Sequence, residues 1–204
     1  MNLPNKLTIG RIIMAILIIF ILLFPFDSIG LKLNLYVNES LVINMKYILS
    51  GIIFMLASIT DFLDGYIARK YDLITDFGKM MDAIADKILV NSVLIILSAQ
   101  GAIHPIIPVV VIMRDTFVNS IKMAAGNKGN VVAAIMSGKI KTACLMVGIV
   151  LTLFYNMPFV FINLRVSDFL LVVAATLSIT SGYSYYKNNR IYIFSDKNDV
   201  KLES

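Results

Sequence analysis

Four aspartates stand at spacings that suit metal-assisted chemistry. Asp61 and Asp64 are three residues apart, and Asp82 and Asp86 are four apart. On helices, either spacing stacks a pair on one face, one turn apart. Residues 70–77 between the pairs form a short polar connection, so the two helices are expected to run antiparallel and face each other. All four carboxylates would then converge at one end of an apolar bundle. An acidic side chain near the centre of a membrane span costs about 2.5–3.5 kcal/mol, and less toward its ends. Four at full depth would cost about 10 kcal/mol, comparable to the stability of a whole domain. Divalent cations resolve that conflict, because carboxylate oxygens are hard donors suited to Mg²⁺, Mn²⁺ or Ca²⁺ and not to zinc. Two ions about 3.5–4 Å apart would neutralise the four acids and clamp phosphoryl oxygens. The competing reading is a solvated acidic mouth balanced by Arg69, Lys70, Lys79 and Lys87. Four acids at these spacings, interleaved with small residues, favour the metal.

Neighbouring residues fit a phosphate-bearing ligand. Gly65 follows Asp64, and Gly78 lies one turn before Asp82. Without a Cβ, either position lets a ligand approach the backbone closely, although helix packing also uses such glycines. The planar fork of Arg69 can donate two hydrogen bonds to a diphosphate.

The elements that must carry these residues are membrane spans. The chain has 204 residues, is 58% hydrophobic and only 15% charged, and has a mean hydropathy of +0.83. That balance cannot supply a polar shell around a water-soluble core of this size. Six apolar stretches, 8–26, 43–64, 82–100, 104–124, 140–162 and 166–186, are each long enough to cross about 30 Å of hydrocarbon. An all-α, six-helix membrane bundle forming a single domain over residues 1–204 is expected. Residues 27–42 are read as its longest outer loop, 126–130 as a turn, and 187–204 as a polar tail. Lys6, Arg11, Arg69, Lys70, Lys79, Lys128, Lys139, Lys187, Arg190, Lys197 and Lys201 fall on one side of that topology. Only Lys32, Lys46 and Arg165 fall on the other, which puts both termini and the acidic site in the cytoplasm. The net charge of +5 then reflects cytoplasmic loops and not nucleic-acid binding. The single cysteine, Cys144, excludes an internal disulfide or a thiolate cluster. The N-terminal basic and apolar run lacks a small-residue cleavage site and reads as a retained first span.

Residues 61–86 match every fixed position of D-x2-D-G-x2-A-R-x8-G-x3-D-x3-D. In this the sequence resembles the CDP-alcohol phosphotransferases, six-helix membrane enzymes that are usually homodimers. The resemblance implies two divalent ions, Mg²⁺ or Mn²⁺. Asp61 and Asp82 would bridge both ions, with Asp64 completing one site and Asp86 the other. It also makes Asp86 the general base. Pro4, Asn5, Gly65, Ala68, Arg69, Thr75 and Gly78 would bind the CDP-lipid.

Within that family, three features look like the bacterial phosphatidylglycerophosphate synthases. They are the opening Asn2–Thr8 through Arg11, the Arg114-Asp115 pair, and Gly138–Thr142. The resemblance implies transfer of a phosphatidyl group from CDP-diacylglycerol to sn-glycerol 3-phosphate, among membrane lipids. Arg114 lies inside an apolar stretch and is expected to face the bundle interior and pair with an anion. With Lys122, Lys139 and Lys141 it would form a pocket for the acceptor's phosphate. The alternatives are a structural ion pair with Asp115 for Arg114, and membrane-surface anchoring for Lys139 and Lys141. Ala83 where many such synthases have proline, Asp115 for glutamate and Lys122 for arginine are departures that touch no metal ligand. Inositol phosphate, serine or phosphatidylglycerol as acceptor are the nearest other readings. A divalent-cation transporter would place its acids near the bilayer midplane between inverted repeats, and neither is visible.

Overall fold

The computed structural model describes residues 3–30, 33–38, 41–71, 75–130, 132–133, 135 and 136–190. Six long helices dominate: α1 (Leu3–Leu23), α2 (Met45–Lys70), α3 (Asp76–Ala99), α4 (Ile106–Asn127), α5 (Met136–Leu153) and α6 (Val166–Asn189). Each expected apolar stretch supplies one helix. α1, α2, α5 and α6 contain segments long and apolar enough to cross a membrane. α3 and α4 are of similar length, but charges fall within their apolar runs: Asp82, Asp86 and Lys87 on α3, and Arg114, Asp115 and Lys122 on α4.

Two stretches depart from the sequence reading. The expected outer loop at 27–42 contains strand β1 (Asn34–Asn38), paired antiparallel with β2 (Leu41–Asn44), so the chain is helical with one small hairpin. Leu35, Tyr36, Val42 and Ile43 are strand formers that pair across this ladder, which outweighs the asparagines that suggested turns. The fifth apolar stretch, expected to run to 162, stops as a helix at Leu153. Tyr155 and Asn156 take positive φ there, and Pro158 follows, so the backbone turns before a short 3-10 segment at Phe159–Ile162. The tail beyond residue 190, with Lys197 and Lys201, lies outside the described residues.

The chain divides into two compact units. The first comprises Met1–Ile103 and Ile149–Val166. In it α1 packs on α2 and α3. Each of the three helices contributes one buried stripe at helical spacing: Ala15, Ile18 and Leu22; Ser50, Phe54 and Ala57; Ala85, Leu89 and Val93. The opposite face of α1, with Ile13, Ile16, Leu17, Phe20 and Leu23, is exposed, as lipid contact requires. α2 begins at Asn44, whose side chain accepts a hydrogen bond from the Lys46 amide at 3.0 Å. The Asn44 amide itself donates to the Tyr155 hydroxyl at 2.9 Å, tying the hairpin to the 154–158 turn. Burial raises the Tyr155 pKa above its ordinary value, which keeps the hydroxyl neutral.

The second unit comprises His104–Gly148 and Ser167–Ser204. Val118 and Ile121 of α4 pack with Tyr185 of α6, and Val132 and Ile135 lie against them. On α5, Gly148 meets Leu171 of α6 closely: a Cβ there would lie 2.9 Å from both Cγ and Cδ2 of Leu171. Helices in lipid have little hydrophobic drive to associate, so close packing at small residues must supply it. Gly148→Leu is therefore expected to destabilise the fold by about 1–3 kcal/mol through overpacking. Gly126→Ala, at a helical position with nothing within 4 Å of the added carbon, is expected to leave stability unchanged or raise it. Thermal unfolding of both variants in detergent, followed by helical circular dichroism, checks the contrast.

Candidate metal centre

The stripes that build the first unit's core continue into its charged end. On α2 the series Ser50, Phe54, Ala57 extends by the same 3–4 residue steps to Asp61 and Asp64. On α3, Ala85 and Leu89 lead back to Asp82, and on α1, Ala15 leads back to Arg11 and Thr8. Packing the apolar stripes together therefore forces the charged ends to meet.

Carboxylate oxygens of Asp61, Asp64 and Asp82 all lie within 4.8 Å of one another. Arg11, 0% exposed, sits at their focus. Its Nη1 is 2.5 Å from Asp61 Oδ1 and 2.8 Å from Asp82 Oδ1, and its Nη2 contacts Asp64 Oδ2. Asp64 is buried, whereas the Asp82 side chain is half exposed, so the cluster opens on one side. Asp86 lies one turn along α3 from Asp82, partly buried, and is not part of this three-carboxylate group.

The donor set fits a hard divalent ion. All three ligands are carboxylate oxygens, and Mg²⁺ bonds such donors at about 2.0–2.1 Å, so oxygens on opposite sides of one ion lie about 4 Å apart. Three acids and one guanidinium leave two net negative charges in a partly buried place, which a divalent ion would balance. No histidine or cysteine lies in the group.

A second set of expected residues assembles at the start of α3. Thr75 caps the helix, its hydroxyl accepting from the Gly78 amide at 3.0 Å. The Asn5 amide meets the Thr75 hydroxyl at 3.5 Å. A Cβ on Gly78 would lie 2.7 Å from Asn5 Oδ1 and 2.9 Å from Thr75 Oγ1, so only glycine permits this approach of α1 to α3. Gly65 and Ala68 lie on α2 just beyond Asp64, both partly buried. The side chains of Pro4 and Arg69 lie outside the described residues.

In the second unit Arg114, Lys122 and Lys141 each meet a partner. Arg114 Nη1 donates to Asp115 at 2.8 Å and its Nε to Ser181 at 3.1 Å. Buried Lys141 donates to both oxygens of Asp115, at 2.9 and 2.8 Å. The structural pair between Arg114 and Asp115, an alternative in the sequence, is thus formed. Two cations meet the Tyr185 ring, Arg114 5.4 Å and Lys122 5.6 Å from its centre. Its hydroxyl accepts from the Ile135 amide at 3.0 Å. Lys139 is exposed on α5.

Sequence reasoning counted Arg11 only as a basic residue and part of the N-terminal resemblance, without placing it at the acids, and missed Ser181 and Tyr185. Arg11 was visible: it occupies a core position in the 8–11–15–18–22 periodicity of α1, where an arginine needs an anionic partner. Nothing in the sequence pairs Tyr185 or Ser181 with Arg114.

Comparison with known proteins bears on the family. A family model for CDP-alcohol phosphatidyltransferase matches residues 1–180. The chain is 38% identical over 188 residues to the CDP-diacylglycerol–glycerol-3-phosphate 3-phosphatidyltransferase of Bacillus subtilis (strain 168), covering 92% of this chain and 95% of that protein. It is likewise 38% identical over 192 residues to the protein of the same name from Rickettsia typhi (strain ATCC VR-144 / Wilmington), covering 94% of this chain and 98% of the relative. A third relative of that name, from Mycoplasma genitalium (strain ATCC 33530 / DSM 19775 / NCTC 10195 / G37), is 40% identical over 155 residues, 75% of this chain and 65% of its own length. With the full aspartate signature and near-complete coverage, the chain belongs to the CDP-alcohol phosphatidyltransferase family.

Proposed function

We infer that this protein transfers the phosphatidyl group of CDP-diacylglycerol to sn-glycerol 3-phosphate, releasing CMP and forming phosphatidylglycerophosphate for phospholipid synthesis. The observation that carries the reading is near-full-length identity to relatives named for that reaction, over a chain that keeps all eight signature residues.

Two divalent ions, Mg²⁺ or Mn²⁺, held by Asp61, Asp64, Asp82 and Asp86, would supply electrostatic stabilisation to the diphosphate and to the departing CMP. Support comes from the convergence of three of these acids and from the position of Asp86 on the same face of α3. Pro4, Asn5, Gly65, Ala68, Arg69, Thr75 and Gly78 bind the CDP-lipid, a role supported by the close meeting of Asn5, Thr75 and Gly78. Asp86 takes the proton of the acceptor's 1-hydroxyl. The acceptor oxygen bonds to the phosphorus that carries diacylglycerol, and the bond from that phosphorus to CMP breaks. Arg114, Lys122, Lys139 and Lys141 hold the acceptor's phosphate. Its doubly charged oxygens can accept from the cations that now share Asp115.

All six helices act as spans, with both termini and the acidic centre cytoplasmic. The strong bias of Lys and Arg supports that orientation. Three charges on α4 are tolerable in a span because Arg114 and Asp115 pair with each other. The working form is a homodimer, by resemblance to the family.

The deciding experiment is release of CMP from CDP-diacylglycerol by purified protein. Release is expected with glycerol 3-phosphate and Mg²⁺ or Mn²⁺, at background with serine or inositol phosphate, and to stop with EDTA. Preference for another acceptor would move the chain within the family, and undiminished activity in EDTA would remove the metals. Asp86→Asn is expected to bind CDP-lipid yet lose about 10²–10⁴-fold in kcat, the usual contribution of a positioned base. Near wild-type turnover in that variant would refute its role. Gly78→Val should raise KM for CDP-diacylglycerol more than it lowers kcat, because the new carbon displaces Asn5 and Thr75 and not the acids.

A further inference from the structure

One cation already stands where the acids converge. Nη1 of Arg11 lies between Asp61 and Asp82, each within 2.8 Å, and Nη2 reaches Asp64. These are the three residues whose oxygens group within 4.8 Å. The guanidinium is fully buried and its Nε has no hydrogen-bond partner, so its hold on the site runs through its two terminal nitrogens. An arginine tethered by packing alone would spread its five donors over carbonyls and hydroxyls; this one directs its terminal nitrogens at the candidate ligands.

We propose that Arg11 is the resident counter-cation of the acidic centre: it holds Asp61, Asp64 and Asp82 together when no divalent ion is bound, and it gives up those contacts as metal enters. The inference rests on the metal reading under Proposed function and goes beyond it, since that reading assigns Arg11 no role. The physical reason is competition. A guanidinium and a divalent ion seek the same carboxylate oxygens, and two cations confined within one small, partly buried cluster repel each other. Without Arg11, three carboxylates would crowd within a few ångströms with nothing to neutralise them, and the helix ends would splay. With it, the bundle can fold before metal arrives, and the ligands stay gathered. The cost falls on metal affinity, because each ion must displace a bonded cation. Linkage makes the two effects reciprocal: whatever Arg11 adds to the metal-free fold it subtracts from metal binding.

The test compares wild type with Arg11→Gln and Arg11→Lys, each purified in detergent. Mn²⁺ binding is titrated by electron paramagnetic resonance of the free ion, and thermal unfolding is followed in EDTA and in saturating Mn²⁺. Arg11→Gln is expected to bind Mn²⁺ about tenfold more tightly, within the usual range of coupling between competing ligands. Its unfolding midpoint should fall further in EDTA than in Mn²⁺. Arg11→Lys keeps the charge but offers one ammonium in place of a fork that reaches three acids, so a smaller gain in Mn²⁺ affinity is expected. It also serves as the test if Arg11→Gln does not fold. Wild-type Mn²⁺ binding that is unchanged or weakened in the folded variants would overturn the inference and leave the metal reading standing. A midpoint lowered equally in EDTA and Mn²⁺ would also overturn it, since Arg11 would then be a plain structural residue. Absence of Mn²⁺ binding by wild type would overturn the metal reading and the inference with it.

Discussion

Like charges gathered inside an apolar bundle must be neutralised, and the rest of this fold is arranged around that demand. Three carboxylates from two helices meet at one point, and the guanidinium of a third helix meets them there. None of these groups could sit where it does alone. A buried arginine without its acids, or the acids without a cation, would face desolvation with nothing to offset it. The ion cluster is therefore a constraint on helix placement as much as a functional feature. α1, α2 and α3 must pack in the register that brings residues 11, 61, 64 and 82 together, and the buried stripes Ala15–Ile18–Leu22, Phe54–Ala57 and Ala85–Leu89–Val93 keep the same register.

The second unit handles charge in a parallel way. Asp115 accepts from both Arg114 and Lys141, and Tyr185 presents its ring to Arg114 and Lys122. Two cations share one carboxylate there, so the group keeps positive charge to spare, whereas the first unit's cluster keeps negative charge to spare. Both excesses arise from charged residues set into otherwise apolar helices.

Much of the architecture was legible in advance because apolar length is a strong signal. Each of the six stretches became a helix, and the aspartate spacing placed Asp61 with Asp64 and Asp82 with Asp86 on single faces. The hairpin at Asn34–Asn44 was not legible, since four- and five-residue strands with asparagines at their ends give little periodicity to read. The early end of α5 was missed for a different reason: residues 154–162 remain largely apolar, and Asn156 and Pro158 mark the turn only weakly beside the positive φ of Tyr155 and Asn156.

By itself the sequence determined the membrane setting, which depends on hydropathy along one chain, and its aspartate signature carried the resemblance from which the reaction class followed. Tertiary structure alone decided which charges neutralise one another. Arg11 is 50 residues before Asp61 and 71 before Asp82, and Lys141 is 26 after Asp115. No local pattern reports such meetings. They follow from which buried stripe packs against which, and that is settled only when the helices close on one another and each desolvated charge has to find its partner.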